Sequence, residues 1–303
     1  MLEQHLVNGL MLGALYGLIA VAYTMVYGIV ELVNFAFGEV FMFAAFFAVL
    51  LMGSQAVFFE TTVGMPALPF VLALPLAVAG GAILGVAIER VAYKPLRRAP
   101  RLAPLISAIA VSIFLQGLGQ LLFGGAETPF PDPIGGSAIQ LGTVRLQPLS
   151  LVILAVALAA MAILWLVVQR TPIGRAMRAT AQDPDAAVLQ GIDIDRVIVA
   201  TFLIGSAFAA LAGVLYGATF RFAQPAMGFL PGLKALVAAV LGGIGNIPGA
   251  FLGGMVLGMA ESLGAGLIPG GAPYRDAIAF AVLGAMLWFR PQGLLGARLR
   301  ERV

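Results

Sequence analysis

LVNGLMLGALYGLIAVAYTMVYGIVELVNFAFGEVFMFAAFFAVLLMG, residues 6–53, decides the fold of this chain. The run is apolar almost throughout and far exceeds the ~20 residues a helix needs to cross a bilayer. It must therefore contain at least two spans. The break falls near YGIVELVNFAFGE, residues 27–39, where Glu31, Asn34 and Glu39 interrupt the apolar residues and Gly28 and Gly38 loosen the backbone. Because the hydrophobicity is continuous and does not alternate, the spans are helices and not strands of a barrel.

The remaining sequence repeats the pattern. Of its 303 residues 61% are apolar and 10% charged, and the mean hydropathy is +1.03, values that exclude a soluble globular protein. Further apolar segments occupy residues 68–91, 105–123, 148–168, 198–219, 233–241, 250–267 and 277–289. The expected fold is all-α, a polytopic helical membrane protein with about eight or nine membrane segments in a single domain over 1–303. The segment at 233–241 is short and runs into GGIGNIPG, residues 242–249. That combination reads as one broken or re-entrant segment, or else as a tight turn between antiparallel helices. MLEQHLVNGL lacks the basic n-region and small-residue cleavage site of a signal peptide, so the first span is expected to stay.

Positive charge orients the chain. Placing residues 92–104, 169–197 and the C-terminal tail on one side collects 13 of the 17 Lys and Arg there, Arg90 included. Arg145, Arg221, Lys234 and Arg275 are left on other segments. The expectation is a periplasmic N-terminus and a cytoplasmic C-terminus. The pI near 9.5 does not point to nucleic acid, because the basic residues lie beside the spans, where they meet membrane lipid. Gly9, Gly13 and Gly17 recur every four residues, as do Gly249 with Gly253 and Gly254 with Gly258, spacing that lets helices approach closely. ALYG at 14–17 and VLYG at 214–217 lie in spans of opposite direction and hint at an inverted repeat.

The longest charged interval, residues 169–197, is QRTPIGRAMRATAQDPDAAVLQGIDIDRV. Its four arginines balance its four aspartates, unlike a purely lipid-binding basic segment. RAMRATAQ after Gly174 favours a helix. Asp183-Pro184 reads as N-cap and first helical residue, and Gly191 as the stop. Two short helices bent at Asp183 would form a folded surface, with Arg175 and Arg178 on one face and Asp185 in the second helix's first turn. Pattern alone leaves open whether that surface docks a soluble partner or faces only water.

Two places put polar groups at membrane depth. Asn34 and Glu39 either line a water-filled path or form an interfacial turn. In GGIGNIPG, Asn246 and four glycines either unwind a helix into binding-site material or make a turn. Tyr23 and Tyr27, with Tyr16, mark one side of the first span and either line the path or pack. Gln116 and Gln120 share a helix face, Glu89-Arg90 closes a span, and Glu261 sits late in another. No catalytic residue, metal site or cofactor is expected: there is no cysteine, one histidine (His5), no phosphate-binding G-x-x-x-x-G-K-[ST], no H-E-x-x-H and no G-x-S-x-G.

GLMLGALYGLIAVAYTMVYGIVELVNFAFGEVFM, TAQDPDAAVLQGIDIDRVIVATFLIGSAFAALAGVLYG and GFLPGLKALVAAVLGGIGNIPGAFLGGMVLGMAE together resemble LivH-type permeases of bacterial branched-chain amino acid ABC importers. One departure is Phe37 in NFAFGE, where many members carry His. The resemblance implies an inner-membrane permease paired with a LivM-like second permease subunit. Two cytoplasmic ATPase subunits would drive it, and a periplasmic amino-acid-binding protein would supply it. Residues 169–197 would then be the loop that couples to the ATPase. An ion-coupled secondary transporter, or a membrane scaffold, is the alternative that the residues alone permit.

Overall fold

The computed structural model describes residues 2–53, 56–58, 61–63, 67–97, 99–100, 102–135, 139–141, 144–268 and 270–296. Arg98, Arg101, Arg298, Arg300 and Arg302 of the basic segments lie outside the described residues. The helices are α1 (Leu2–Val30), α2 (Phe37–Leu51), α3 (Phe70–Ile88), α4 (Leu102–Phe123), α5 (Pro148–Arg170), α6 (Pro172–Gln182), α7 (Pro184–Leu189), α8 (Ile194–Phe220), α9 (Phe229–Gly242), α10 (Ile247–Leu267) and α11 (Arg275–Phe289). Nine fall on the apolar segments of the sequence, and α6 and α7 on the charged interval. By length and apolarity α1, α3, α4, α5, α8 and α10 can each cross a membrane, whereas α2 and α9 are shorter apolar helices.

The all-α expectation omits three small ladders in the connecting segments. β1 (Ala56–Phe58) pairs antiparallel with β2 (Thr61–Val63), β3 (Thr128–Pro129) with β6 (Phe222–Ala223), and β4 (Ile139–Leu141) with β5 (Val144–Leu146). The β3–β6 pairing fastens the connection before α5 to the one after α8. Arg221 reinforces it with an ion pair to Asp132 at 2.9 Å.

Two ends of the bundle can be distinguished. At one, the Gln4 side chain accepts from Arg145 N at 2.8 Å, and Ser262 donates to the His5 carbonyl at 2.7 Å. At the other, Leu294 N and Leu295 N donate to the carbonyls of Leu241 and Gly242, and Asn246 Nδ2 donates to Leu295 O. Residues 2–12 and 290–296 therefore sit at opposite ends.

Small residues set the packing. α1 and α10 run antiparallel, with Gly9 against Met259, Gly13 against Met255 and Gly17 against Phe251. A Cβ on Gly13 would lie 2.7 Å from Met255 Cα, and one on Gly254 would overlap Gly17. Backbones this close recover dispersion where lipid offers no hydrophobic drive. Between α3 and α8, Gly85 accommodates Ser206 in the same manner.

Of the two readings of residues 242–249, the structure shows the turn. GGIGNIPG makes a tight reversal: Gly243 and Gly245 take φ of 102° and 91°, open to glycine alone at low cost, and α9 then packs antiparallel on α10. Breaks lie at residues 31–36, within the stretch where the sequence placed one, and at 221–228, each followed by a short helix that begins inside the bundle. α2 and α9 start head to head there, with Gly38 and Gly228 in backbone contact so close that a Cβ on either would overlap the other. α1 packs on α9 and α10 as α8 packs on α2 and α3. The two halves thus have matching neighbours, α1–α2–α3 against α8–α9–α10, with ALYG and VLYG in the equivalent helices α1 and α8.

Candidate coupling surface and buried polar sites

The charged interval folds as two capped helices at the end of the bundle that carries Asn246 and Leu295. Thr171 Oγ1 accepts from Gly174 N at 3.2 Å and starts α6. Gly174 is pressed against the last turn of α5, where a Cβ would overlap the carbonyls of Val167 and Val168. Asp183 Oδ1 accepts from Asp185 N and Ala186 N, both at 3.0 Å, and so caps α7. Gly191, at φ 79°, ends it, with Gly191 N donating to Val188 O. Met177, Thr180 and Ala187 are buried on the inner face, whereas Arg175, Asp183 and Asp185 are exposed.

The two arginines separate in role. Arg175 faces outward, but Arg178 turns back and donates to the Val168 carbonyl at the end of α5. The outer face also carries an apolar tip that charge patterning did not disclose. Leu189 is 89% exposed and Val188 54%. Exposed apolar side chains grouped at the tip of a capped helix offer apolar surface for a partner to cover.

An ionic network that runs from buried Glu89 to exposed Asp195 braces this surface. Arg97 pairs with both Glu89 and Asp195, and Lys94 with Asp195 at 3.2 Å. Glu89 is fully buried, so it is an internal partner of Arg97 more than an interfacial anchor. Asp195 lies in the first turn of α8, at the end of the charged interval, so the connection following α3 is tied to that interval's exit.

Of the five residues expected along a path, Tyr23, Asn34 and Glu39 converge around Phe37. Tyr23 packs edge-on against Phe37 at 5.4 Å. Asn34 is fully buried and its Oδ1 accepts from Ala36 N (3.0 Å) and Tyr93 Oη (2.9 Å). Glu39, 2% exposed in the first turn of α2, accepts from Ser112 at 3.0 Å. Tyr27 and Asn246 stand apart from that cluster. Tyr27 is partly exposed beside Glu31 and Arg97. Asn246 caps α10, its Oδ1 accepting from Gly249 N at 2.9 Å while Nδ2 holds Leu295.

Sequence reading missed one buried constellation. Lys234 in α9, 6% exposed, places Nζ 2.9 Å from Glu261 Oε1 in α10 and 2.7 Å from Asp276 Oδ1 in α11. Tyr16 Oη of α1 is 3.4 Å from the same nitrogen. A lysine inside GFLPGLKALV demands an acidic partner, but only the fold reveals which one.

This arrangement is that of a multi-pass helical membrane protein with a folded polar module between α5 and α8. The chain belongs to the branched-chain amino acid transport system permease component family, whose model matches residues 5–287. It is 42% identical to the high-affinity branched-chain amino acid transport system permease protein BraD of Pseudomonas aeruginosa, over 99% of this chain and 97% of that protein. It is 41% identical to LivH of Escherichia coli, the permease protein of a system so described, over the same shares. A more distant similarity, 30% over 52% of this chain and 50% of the relative, is to the ribose import permease protein RbsC of Bacillus subtilis.

Proposed function

We propose that this chain is one permease subunit of an ATP-driven importer that passes branched-chain amino acids across the bacterial inner membrane. Its partners are a second, LivM-like permease subunit, two cytoplasmic ATPase subunits and a periplasmic amino-acid-binding protein. The observation that carries the reading is the module Gly174–Gly191, two capped helices with Leu189 at the tip, in a chain of this family. An ion-coupled carrier has no use for such a module. The charge distribution supports nine crossings, with residues 2–12 periplasmic and α6, α7 and residues 290–296 cytoplasmic.

The route passes the junction of α2 and α9, the place where irregular backbone enters the bundle from both ends. Tyr23, Asn34 and Glu39 border it, with Tyr27 and Asn246 toward the cytoplasmic end. Because Asn34 and Glu39 are packed away, Cys placed at either position in this Cys-free chain will resist impermeant thiol reagents at rest. It will react during ATP turnover, when α2 and α9 must separate. Labelling that is absent in every state excludes them from the route.

The decisive experiment reconstitutes the complete transporter in liposomes with its binding protein outside and measures uptake of radiolabelled leucine. Uptake that needs both ATP and the binding protein is expected. Leucine uptake driven by a Na⁺ or H⁺ gradient without ATP would replace this reading with the secondary carrier.

A further inference from the structure

A cavity of about 750 Å³ opens at the end of the bundle where α1, α5 and α11 begin and α8 and α10 finish. Its wall is mixed in a particular way. Arg145 and Arg275 supply cations, Glu261 an anion, Ser150 a hydroxyl, and Met11 and Phe220 apolar surface. Glu261 is 3% exposed; Oε1 holds Lys234, while Oε2 has no hydrogen-bond partner. Behind it, one ammonium, Lys234, is shared by two carboxylates, Glu261 and Asp276. That cluster carries one excess negative charge, and Arg275 on the cavity wall offsets it.

We infer that this cavity is a substrate vestibule that takes a free α-amino acid as its zwitterion, the ammonium going to Glu261 and the carboxylate to Arg275. The inference rests on the importer reading above and adds to it a site on the permease itself. The chemistry favours this class of ligand for three reasons. A zwitterion adds no net charge to a lining already close to balance. It supplies the donor that the orphaned Glu261 oxygen lacks, at the place where an unsatisfied buried carboxylate oxygen costs most. Its aliphatic side chain can lie against Met11 and Phe220. Ionisable groups buried in a membrane bundle are costly and mark ligand pathways by default. Lys234 acts here as a positioning residue: it fixes one oxygen of Glu261 and leaves the other without a donor.

The test uses the assembled transporter in lipid nanodiscs without its binding protein, carrying Ser150→Cys as the single thiol on this chain. The rate of labelling by a small cationic thiol reagent is followed with L-leucine, leucinamide or 4-methylpentanoate present. Leucinamide lacks the carboxylate and 4-methylpentanoate the ammonium. L-leucine should slow labelling, and the two analogues should require roughly tenfold to a hundredfold higher concentration for the same protection. Glu261→Gln, which keeps shape and volume, should remove the preference for leucine over 4-methylpentanoate. Arg275→Gln should remove the preference for leucine over leucinamide. Labelling indifferent to leucine, or an introduced thiol that never reacts because another subunit covers it, would overturn the vestibule, while leucine import by the same transporter reconstituted in liposomes with its binding protein leaves the importer reading intact. A wild-type transporter that imports no branched-chain amino acid even with its binding protein removes both.

Discussion

Single side chains hold the connections of this protein in place, and their effects are separable. Asp132 bonds Arg221 and the backbone N–H of Gly135 and Ile134, and the Arg221 bond is the main cause of a carboxyl held below its ordinary value of 3.8. Because the folded form is the more acidic, its contribution to stability is complete above that value and is lost as pH falls through and below it. Melting curves of wild type and Asp132→Asn should therefore differ at neutral pH and converge in acid. A gap that shows no narrowing as pH falls below the ordinary value would assign the effect to something other than this ionisation. At the opposite end Asp183 caps α7, a contribution of about 1 kcal/mol. Asp183→Ala should leave the permease in the membrane but free α7 to fray, so basal ATP hydrolysis no longer responds to liganded binding protein. Wild-type stimulation in this variant would show that α7 does not need its cap to transmit motion. Arg175→Glu changes only an exposed position, whereas Arg178→Glu also breaks the contact with Val168, so the two reversals should not be equivalent.

Helix against helix, the bundle is governed by glycine. The seam between α1 and α10 has no room at Gly254, where a Cβ would overlap Gly17, while Gly117 in α4 has nothing within 4 Å. Gly254→Val should destabilise the purified protein by about 1–3 kcal/mol, as overpacking does elsewhere. Gly117→Val should change little, and equal melting temperatures would deny the seam its role. This scale also shows what a sequence can disclose. The repeats at Gly9, Gly13, Gly17, Gly254 and Gly258 were visible as small-residue spacing, and the seam follows from them. Asp183, Pro184 and Gly191 specified α7 because caps are local chemistry. The breaks before α2 and α9 were less legible. Glu31 and Asn34 marked the first, but nothing local distinguishes Arg221–Gly228 from an ordinary loop, and GGIGNIPG fitted a broken helix as well as the turn it makes. The Lys234–Glu261–Asp276 cluster could not be read at all, because its members come from three helices and only packing brings them together.

For the molecule as a whole, the opposed ends make a topological prediction. Reporter fusions after Asp185 and after Arg290 should report the cytoplasm, and one after Asp132 the periplasm. A periplasmic signal at Asp185 would invert the map and with it the assignment of α6 and α7 to the ATPase side. The matching neighbours of α1–α2–α3 and α8–α9–α10 set a further condition on any motion. If one half-helix of the α2–α9 junction moves, the backbone contact at Gly38 and Gly228 requires the other to yield.

The α1–α10 seam also has a consequence in time. α1 leaves the ribosome well before α10, the helix it packs against most, which is made more than two hundred residues later. At roughly 5–20 residues per second, α1 waits on the order of ten seconds or more with its glycine face against lipid or a membrane chaperone. Every intermediate along the way exposes that same groove, so the bundle closes late and all but at once. A chain that stops before α10 is an obvious target for membrane proteases, and quality control can judge this protein by whether a single groove has been filled.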